Sequence, residues 1–106
     1  MEDEVKVPDG NIEISEAVIM TYVEKTIGEF NGLSIGKKKK SIKITRSEGG
    51  STIDIGLDVN YGVAIPETVR ELQREIKERL MKLAGMQVKE VNVIVEGLNI
   101  EELIKK

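Results

Sequence analysis

The sequence predicts a two-layer α+β domain in which one face of the sheet stays open. Two segments carry apolar residues at helical spacing, and the segments between and after them alternate apolar and polar residues. The longest alternating segment is polar along its whole second face, so helices are expected on the other face alone. The predicted elements follow the order β-α-β-β-α-β, which is the split βαβ order of ferredoxin-like domains.

A short strand and the first helix are predicted near the start of the chain. Ile12 and Ile14 alternate with polar neighbours, and Ser15 is a suitable N-cap because its hydroxyl can accept a hydrogen bond from a first-turn amide. Asn31-Gly32 is typical of a helix end. The apolar stripe expected to face the core consists of Val18, Ile19, Tyr22, Val23, Ile27 and Phe30.

A β-hairpin is predicted in the middle of the chain. Ile42 and Ile44 alternate with polar residues, a turn signal follows at Glu48-Gly49-Gly50, and alternation resumes from Ile53 to Tyr61. The segment from residue 33 to 40 is predicted to be a loop. The polar face of the second strand comprises Thr52, Asp54, Gly56, Asp58 and Asn60.

The second helix and the last strand complete the domain. Pro66 suits the first turn of a helix and Gly85 suits its end. Val91, Val93 and Val95 then alternate as a final strand. We expect residues 1–9 to be a flexible lead, 10–97 a single domain, and 98–106 a tail with a short helix. The stripe of the second helix consists of Val69, Leu72, Ile76, Leu80 and Leu83.

Composition narrows the possible functions. The 106 residues allow one domain, and the chain contains neither cysteine nor histidine. Disulfides, thiolate metal sites and the commonest general base are therefore excluded. We predict a protein that is not an enzyme, with no catalytic residue, cofactor, metal or small-molecule substrate. The acidic start and the lack of a long apolar segment predict a cytoplasmic location.

The segments most similar to catalytic motifs lack the spacing that those motifs need. Asp54 and Asp58 share a strand face, but four residues of strand separate them by about 13 Å, which is too far for a glycosidase pair. Their predicted role is solvation of the open face, with Lys43 opposite one of them. The segment from Gly32 to Lys38 lacks the spacing and the hydroxyl of a phosphate-binding loop.

One cluster of positive charge stands out, formed by Lys37, Lys38, Lys39, Lys40, Lys43 and Arg46. It is a candidate contact for an anion or a partner, and a nucleic-acid- or phosphate-binding module is the alternative function. The other interpretation is a solvated loop that keeps an edge strand from pairing with neighbours. The second interpretation is preferred, because a run of charge alone is a weak signal. The net charge of −3 also disfavours general attraction of the whole molecule to nucleic acid.

The final strand is a candidate self-association edge. The residues concerned are Val91, Asn92, Val93, Ile94 and Val95, and no lysine or proline protects them from pairing. The strand could pair with another copy or a partner, or the segment from Leu98 to Ile104 could fold back over it. Both possibilities stay open at the level of sequence.

Four segments of the chain form a recognisable series. They are Gly10-Asn11-Ile12-Glu13-Ile14-Ser15-Glu16-Ala17-Val18-Ile19, Glu29-Phe30-Asn31-Gly32-Leu33, Asp58-Val59-Asn60-Tyr61-Gly62-Val63-Ala64-Ile65-Pro66-Glu67 and Val88-Lys89-Glu90-Val91-Asn92-Val93-Ile94-Val95-Glu96-Gly97. In this order they resemble the alkaline shock protein family of Gram-positive bacteria, which includes general-stress relatives. The first helix lacks the usual run of alanines, and the helix-to-strand loop is shorter than in that pattern.

The resemblance implies a non-enzymatic scaffold or adaptor linked to cell-envelope homeostasis or stress. Such proteins are small and cytoplasmic, and they act by self-association and protein–protein contacts. The resemblance further implies a homo-oligomer that sits peripherally at the membrane through a membrane-anchored partner. It supplies no active-site residues.

Overall fold

The α+β fold is confirmed by a computed structural model, which describes residues 5–6, 13–37 and 40–100. The elements are β1 (Val5–Lys6), β2 (Glu13–Ile14), α1 (Glu16–Gly28), β3 (Leu33–Ile35), β4 (Ile42–Ser47), β5 (Gly50–Asn60), α2 (Ile65–Ala84) and β6 (Val88–Asn99).

The ends of both helices follow from the residues placed there. Ser15 precedes α1 in an extended conformation, and its side chain accepts a 3.4 Å hydrogen bond from the amide of Val18. Helix α2 has a proline in its first turn and ends at Gly85. That glycine has φ +62, a left-handed conformation that costs a glycine little because it has no Cβ.

Strand β5 is the centre of the main sheet. The predicted hairpin is confirmed, because β4 runs antiparallel to β5 with Ile44 opposite Ile53 and Lys43 opposite Asp54. Strand β6 lies parallel to β5 on its other side over most of its length. The sheet is therefore mixed, and the central strand has neighbours on both edges.

Strand β3 was not predicted by the sequence, which indicated a loop from residue 33 to 40. Its three residues pair with the end of β5, and β4 pairs with the start of β5 on the same edge. Gly36 donates its amide to the oxygen of Gly56, and Gly56 donates to the oxygen of Ser41. Strands β3 and β4 thus form one edge of the sheet, which is interrupted between Ile35 and Ile42, opposite Gly56.

The ferredoxin-like strand order is not confirmed. In the split βαβ order the first strand lies between the hairpin and the last strand, whereas here β6 pairs directly with β5. Strand β2, which contains part of the predicted first strand, pairs instead with β1 in a separate two-stranded sheet. A two-residue strand forms too few ladder bonds to hold the centre of a sheet.

The two helices cover one face of the main sheet, as predicted. Ile53, Ile55, Leu57 and Val59 of β5 are essentially inaccessible and contact the buried stripes of both helices. Leu83 is an exception to the predicted stripe of α2, because it is 59% exposed. The buried residues of the helices are Ile19, Val23, Thr26 and Ile27 in α1, and Leu72, Ile76, Leu80 and Ala84 in α2.

Strand β6 is longer than the sequence suggested. Leu98 and Asn99, assigned to the tail, continue the strand opposite Val59 and Asn60. The register of the β5/β6 pairing shifts twice, first between Ser51 and Thr52 and again between Leu57 and Asp58. At the second shift Glu96 lies in a local bulge between Val95 and Gly97. The predicted terminal helix falls mostly on residues 101–106, and the predicted flexible lead mostly on 1–4 and 7–9, all outside the described residues.

Candidate functional site

The predicted self-association edge lies on β6. In the described part of the chain this strand pairs only with β5, so its outer side has no neighbouring strand. Gln73 of α2 donates a 2.9 Å hydrogen bond to the main-chain oxygen of Val91. Because this bond engages the start of the strand, the segment available for pairing lies beyond Val91.

The side chains of the predicted edge fall into two sets. Val91 and Val93 face the helices; Val91 is buried and Val93 is half-buried against the core. Ile94 points to the open face and is 63% exposed, while Asn92 on the same face donates a 2.9 Å hydrogen bond to Asp54. Val95 and Leu98 are also partly uncovered. The edge therefore combines main-chain pairing groups with accessible apolar side chains.

The predicted cationic cluster is divided by the fold. Lys37 and Lys40 lie between β3 and β4, both exposed, and Lys38 and Lys39 are outside the described residues. Lys43 is exposed on the open face of β4. Arg46 lies on the other face of that strand, half-buried, and its Nη2 is buried without a hydrogen-bond partner among the described residues.

Carboxylates lie next to the lysines that the structure describes. A groove of about 360 Å³ between α1 and the β3/β4 edge is lined by Lys40 and Lys43 together with Glu16 and Glu24. Lys37 instead lines a depression on the open face that also contains Asp58 and Glu96. A continuous surface of positive charge is therefore not formed by these lysines, which weakens the case for phosphate recognition.

The strongest ion pairing joins the two helices. Arg79 of α2 contacts Glu29 at 2.6 Å and Glu75 at 3.2 Å, and it donates a 3.3 Å hydrogen bond to Thr26. The hydrogen bond from Arg79 lowers the pKa of Glu29, and the same bond raises the pKa of Arg79. This network fixes how α2 packs on α1, so its role is structural.

The sequence analysis did not identify two neighbouring carboxylates, Asp58 and Glu96, as a candidate site. Asp58 was assigned to solvation of the open face, yet it is only 8% exposed. Glu96 was not considered, although it lies in the β6 bulge beside Asp58. The one sequence signal was the Glu96-Gly97 step, which breaks the alternation of the last strand. Among residues 5–6, 13–37 and 40–100, no group of three or more potential metal-ligating side chains occurs.

Comparison with known proteins identifies the family. Residues 33–100, which hold β3 to β6 and α2, match the model of the alkaline shock protein 23 family, described as having a cell envelope-related function. This match covers more than half of the chain. The chain belongs to the alkaline shock protein 23 family. The resemblance noted from the sequence is thereby confirmed, together with the link to the cell envelope.

Relatives in this family come from Gram-positive bacteria. The chain is 24% identical over 107 residues to YqhY of Bacillus subtilis (strain 168), covering 87% of this chain and 79% of that protein. It is 31% identical over 91 residues to Spy1535 of Streptococcus pyogenes serotype M6, covering 85% of this chain and 68% of that protein. No solved structure matches it. None of the helices in the described ranges has the length and apolar character needed to cross a membrane.

Proposed function

We propose that this chain is a non-enzymatic adaptor of the cell envelope, which acts by self-association and by contact with partner proteins. The family description supports the cell-envelope part of the proposal. The absence of histidine and cysteine from the sequence supports the non-enzymatic part, because it removes the residues used most often for general-base and thiolate chemistry. The partner we propose is membrane-anchored, as the family resemblance implies.

The outer edge of β6 is the observation that carries this proposal. An uncovered strand offers alternating main-chain donors and acceptors, which a strand from another chain can use for β-augmentation. The exposed side chain of Ile94 lies in the middle of this edge and adds apolar area to such a contact. By contrast, the β3/β4 edge is interrupted between Ile35 and Ile42, so it offers no comparable length of strand.

The self-association part is tested by light scattering over a range of protein concentrations. We expect the mean mass of the wild-type chain to rise with concentration. Ile94→Lys places a charge within the edge and should lower the mass towards that of the monomer. Leu83→Lys is the matched control, because Leu83 is about equally exposed but lies on α2. A wild-type chain that stays monomeric throughout, or equal effects of both substitutions, would contradict the proposal.

The partner part is tested by pull-down from detergent-solubilised membranes of the host. We expect the wild-type chain and Leu83→Lys to retain a membrane protein that Ile94→Lys loses. Retention by all three chains would place the contact on another surface, and retention by none would remove the membrane-anchored partner from the proposal.

A further inference from the structure

A pair of carboxylates is built into the open face of the sheet near the end of β5. Asp58 belongs to β5 and is 8% exposed, while Glu96 belongs to the bulge of β6. Both line a depression of about 410 Å³ together with Lys37, Gly97, Leu98 and Asn99. This pair lies where the two parallel strands shift register.

Two strand glycines and the glycine that follows β3 make room for these carboxylates. A Cβ added to Gly56 of β5 or to Gly36 after β3 would overlap the carboxylate of Glu96. A Cβ added to Gly97 of β6 would lie 2.6 Å from Oδ1 of Asp58. The Glu96 side chain therefore lies across the central strand in a space that any larger residue would fill.

The two carboxylates have no partners within the described chain. Oε1 of Glu96 is buried and accepts no hydrogen bond. Asp58, although nine-tenths buried, makes neither a hydrogen bond nor an ion pair with the described residues. Burying a carboxylate without a partner costs free energy, so this arrangement is not accounted for by stability of the fold.

The polar residues on either side of the pair are satisfied. Asp54, four residues before Asp58 on the same strand face, accepts a 2.9 Å hydrogen bond from Asn92. Asn60, two residues after Asp58, accepts a 3.1 Å hydrogen bond from Asn99. Cross-strand hydrogen bonds therefore supply partners to Asp54 and Asn60, on either side of Asp58. The lack of such a partner at Asp58 is the pattern expected where a ligand supplies it.

The charge of the depression selects a singly charged cation. Two carboxylates and the ammonium of Lys37 leave a local charge of −1. A divalent ion prefers six or more oxygen ligands and would be repelled by the lysine. A guanidinium suits better, because it pairs with carboxylates through several donors while its aliphatic stem packs on apolar surface such as the half-exposed Leu98.

The position of Gly97 indicates where such a group would enter. Gly97 pairs with Asp58 and lies between it and the outer edge of β6. Because Gly97 has no side chain, a long side chain from a strand added to that edge has a path over β6 to both carboxylates. Leu98 and Asn99 line the same path.

We propose that Asp58 and Glu96 form a recognition pocket for one arginine side chain of a partner protein, carried on an extended segment that pairs along β6. This inference rests on the adaptor function proposed above and specifies its partner. It assigns the guanidinium to the open depression that Asp58 and Glu96 line together with Gly97 and Leu98.

The test is an NMR titration of the full chain with the blocked peptide acetyl-Val-Thr-Val-Arg-Val-Thr-amide. The matched probe has citrulline in place of arginine, which keeps the shape and removes the charge. We expect the arginine peptide to shift the amides of residues 94–99 and to bind at least tenfold more tightly than the citrulline peptide. Equal affinities of the two peptides would overturn the arginine pocket but leave pairing along β6 intact.

Two variants remove the pocket by different means. Glu96→Gln removes its charge, and Gly56→Ala displaces the flexible end of Glu96 without changing any charge. We expect both to reduce the preference for arginine over citrulline to less than twofold, while light scattering shows unchanged self-association. A preserved preference in folded Glu96→Gln would overturn the proposal, as would shifts of the same amides by Mg²⁺ or Ca²⁺ alone at millimolar concentration.

Discussion

Two aspartates on one face of β5 have opposite environments. Asp54 is partly exposed and is held by Asn92, whereas Asp58 is buried and has no partner among the described residues. Both aspartates lie on the polar side of the same alternating pattern, so the sequence analysis predicted that both would face solvent. The difference arises from β6, whose bulge brings Glu96 and Gly97 next to Asp58 and nowhere near Asp54.

The buried, unpartnered Oε1 of the half-buried Glu96 leads to a prediction about stability. We expect Glu96→Gln to raise the free energy of unfolding at neutral pH by about 1 kcal/mol, because a neutral amide costs less to bury than an unpartnered charge. Urea unfolding measures the change. Glu90→Gln, an exposed position on the same strand, is the control and should stay within about 0.5 kcal/mol of wild type. A loss of stability in Glu96→Gln would mean that the carboxylate supports the fold.

At the scale of elements, the helices were more predictable than the strands. Both helices and the β4/β5 hairpin follow from local spacing, caps and a Gly-Gly turn. Leu83 shows the limit of that spacing, because the buried residues of α2 recur every four residues from Leu72 to Ala84 and Leu83 lies beside that stripe. Strand β3 was missed since three residues are too few to show alternation, and its pairing depends on residues 57–59.

The packing of the two helices leads to a prediction about pH. The pKa of Glu29 is lowered by its hydrogen bond from Arg79, so this pair stabilises the fold above the unfolded-state pKa and ceases to do so as pH falls through the folded-state pKa. We expect Glu29→Gln to be less stable than wild type at pH 7. The difference should shrink below pH 4.5, the ordinary value, and vanish once Glu29 is protonated.

Urea unfolding of both chains between pH 7 and pH 3 measures this effect. Glu24→Gln is the control, because Glu24 is an exposed residue of α1 that makes no ion pair in the described structure. The same difference between Glu29→Gln and wild type at both ends of the range would show that the ion pair is not its cause.

At the scale of the whole molecule, the two edges of the sheet are different. One edge is interrupted between β3 and β4, and the other is the continuous strand β6. The lysines between β3 and β4 were interpreted from the sequence either as an anion site or as protection of an edge strand. Their position on the interrupted edge agrees with protection, and the neighbouring carboxylates weaken the anion site.

This distribution of charge leads to a prediction about nucleic acids. We expect fluorescence anisotropy with single-stranded DNA or RNA to show weak binding whose affinity hardly depends on salt, because lysines beside carboxylates release few counterions. Replacing Lys37 to Lys40 with alanine should then change little. A steep slope, of about −0.7 per phosphate contact, that is lost in the alanine variant would instead restore the nucleic-acid function.

The sequence by itself determined the α+β class, both helices, the hairpin and the one-sided sheet, because each follows from the spacing of residues that are close in the chain. The last strand was also recognised, but its pairing with β5 and its length were decided only by tertiary structure. Tertiary structure also decided that Asp58 and Glu96 lie together. The whole of α2 separates them in the chain, and they meet only when β6 pairs with β5. A periodic pattern predicts which face of a strand a side chain lies on. Which side chains lie next to it across the sheet depends on strand pairing, and residues distant in the chain determine that pairing.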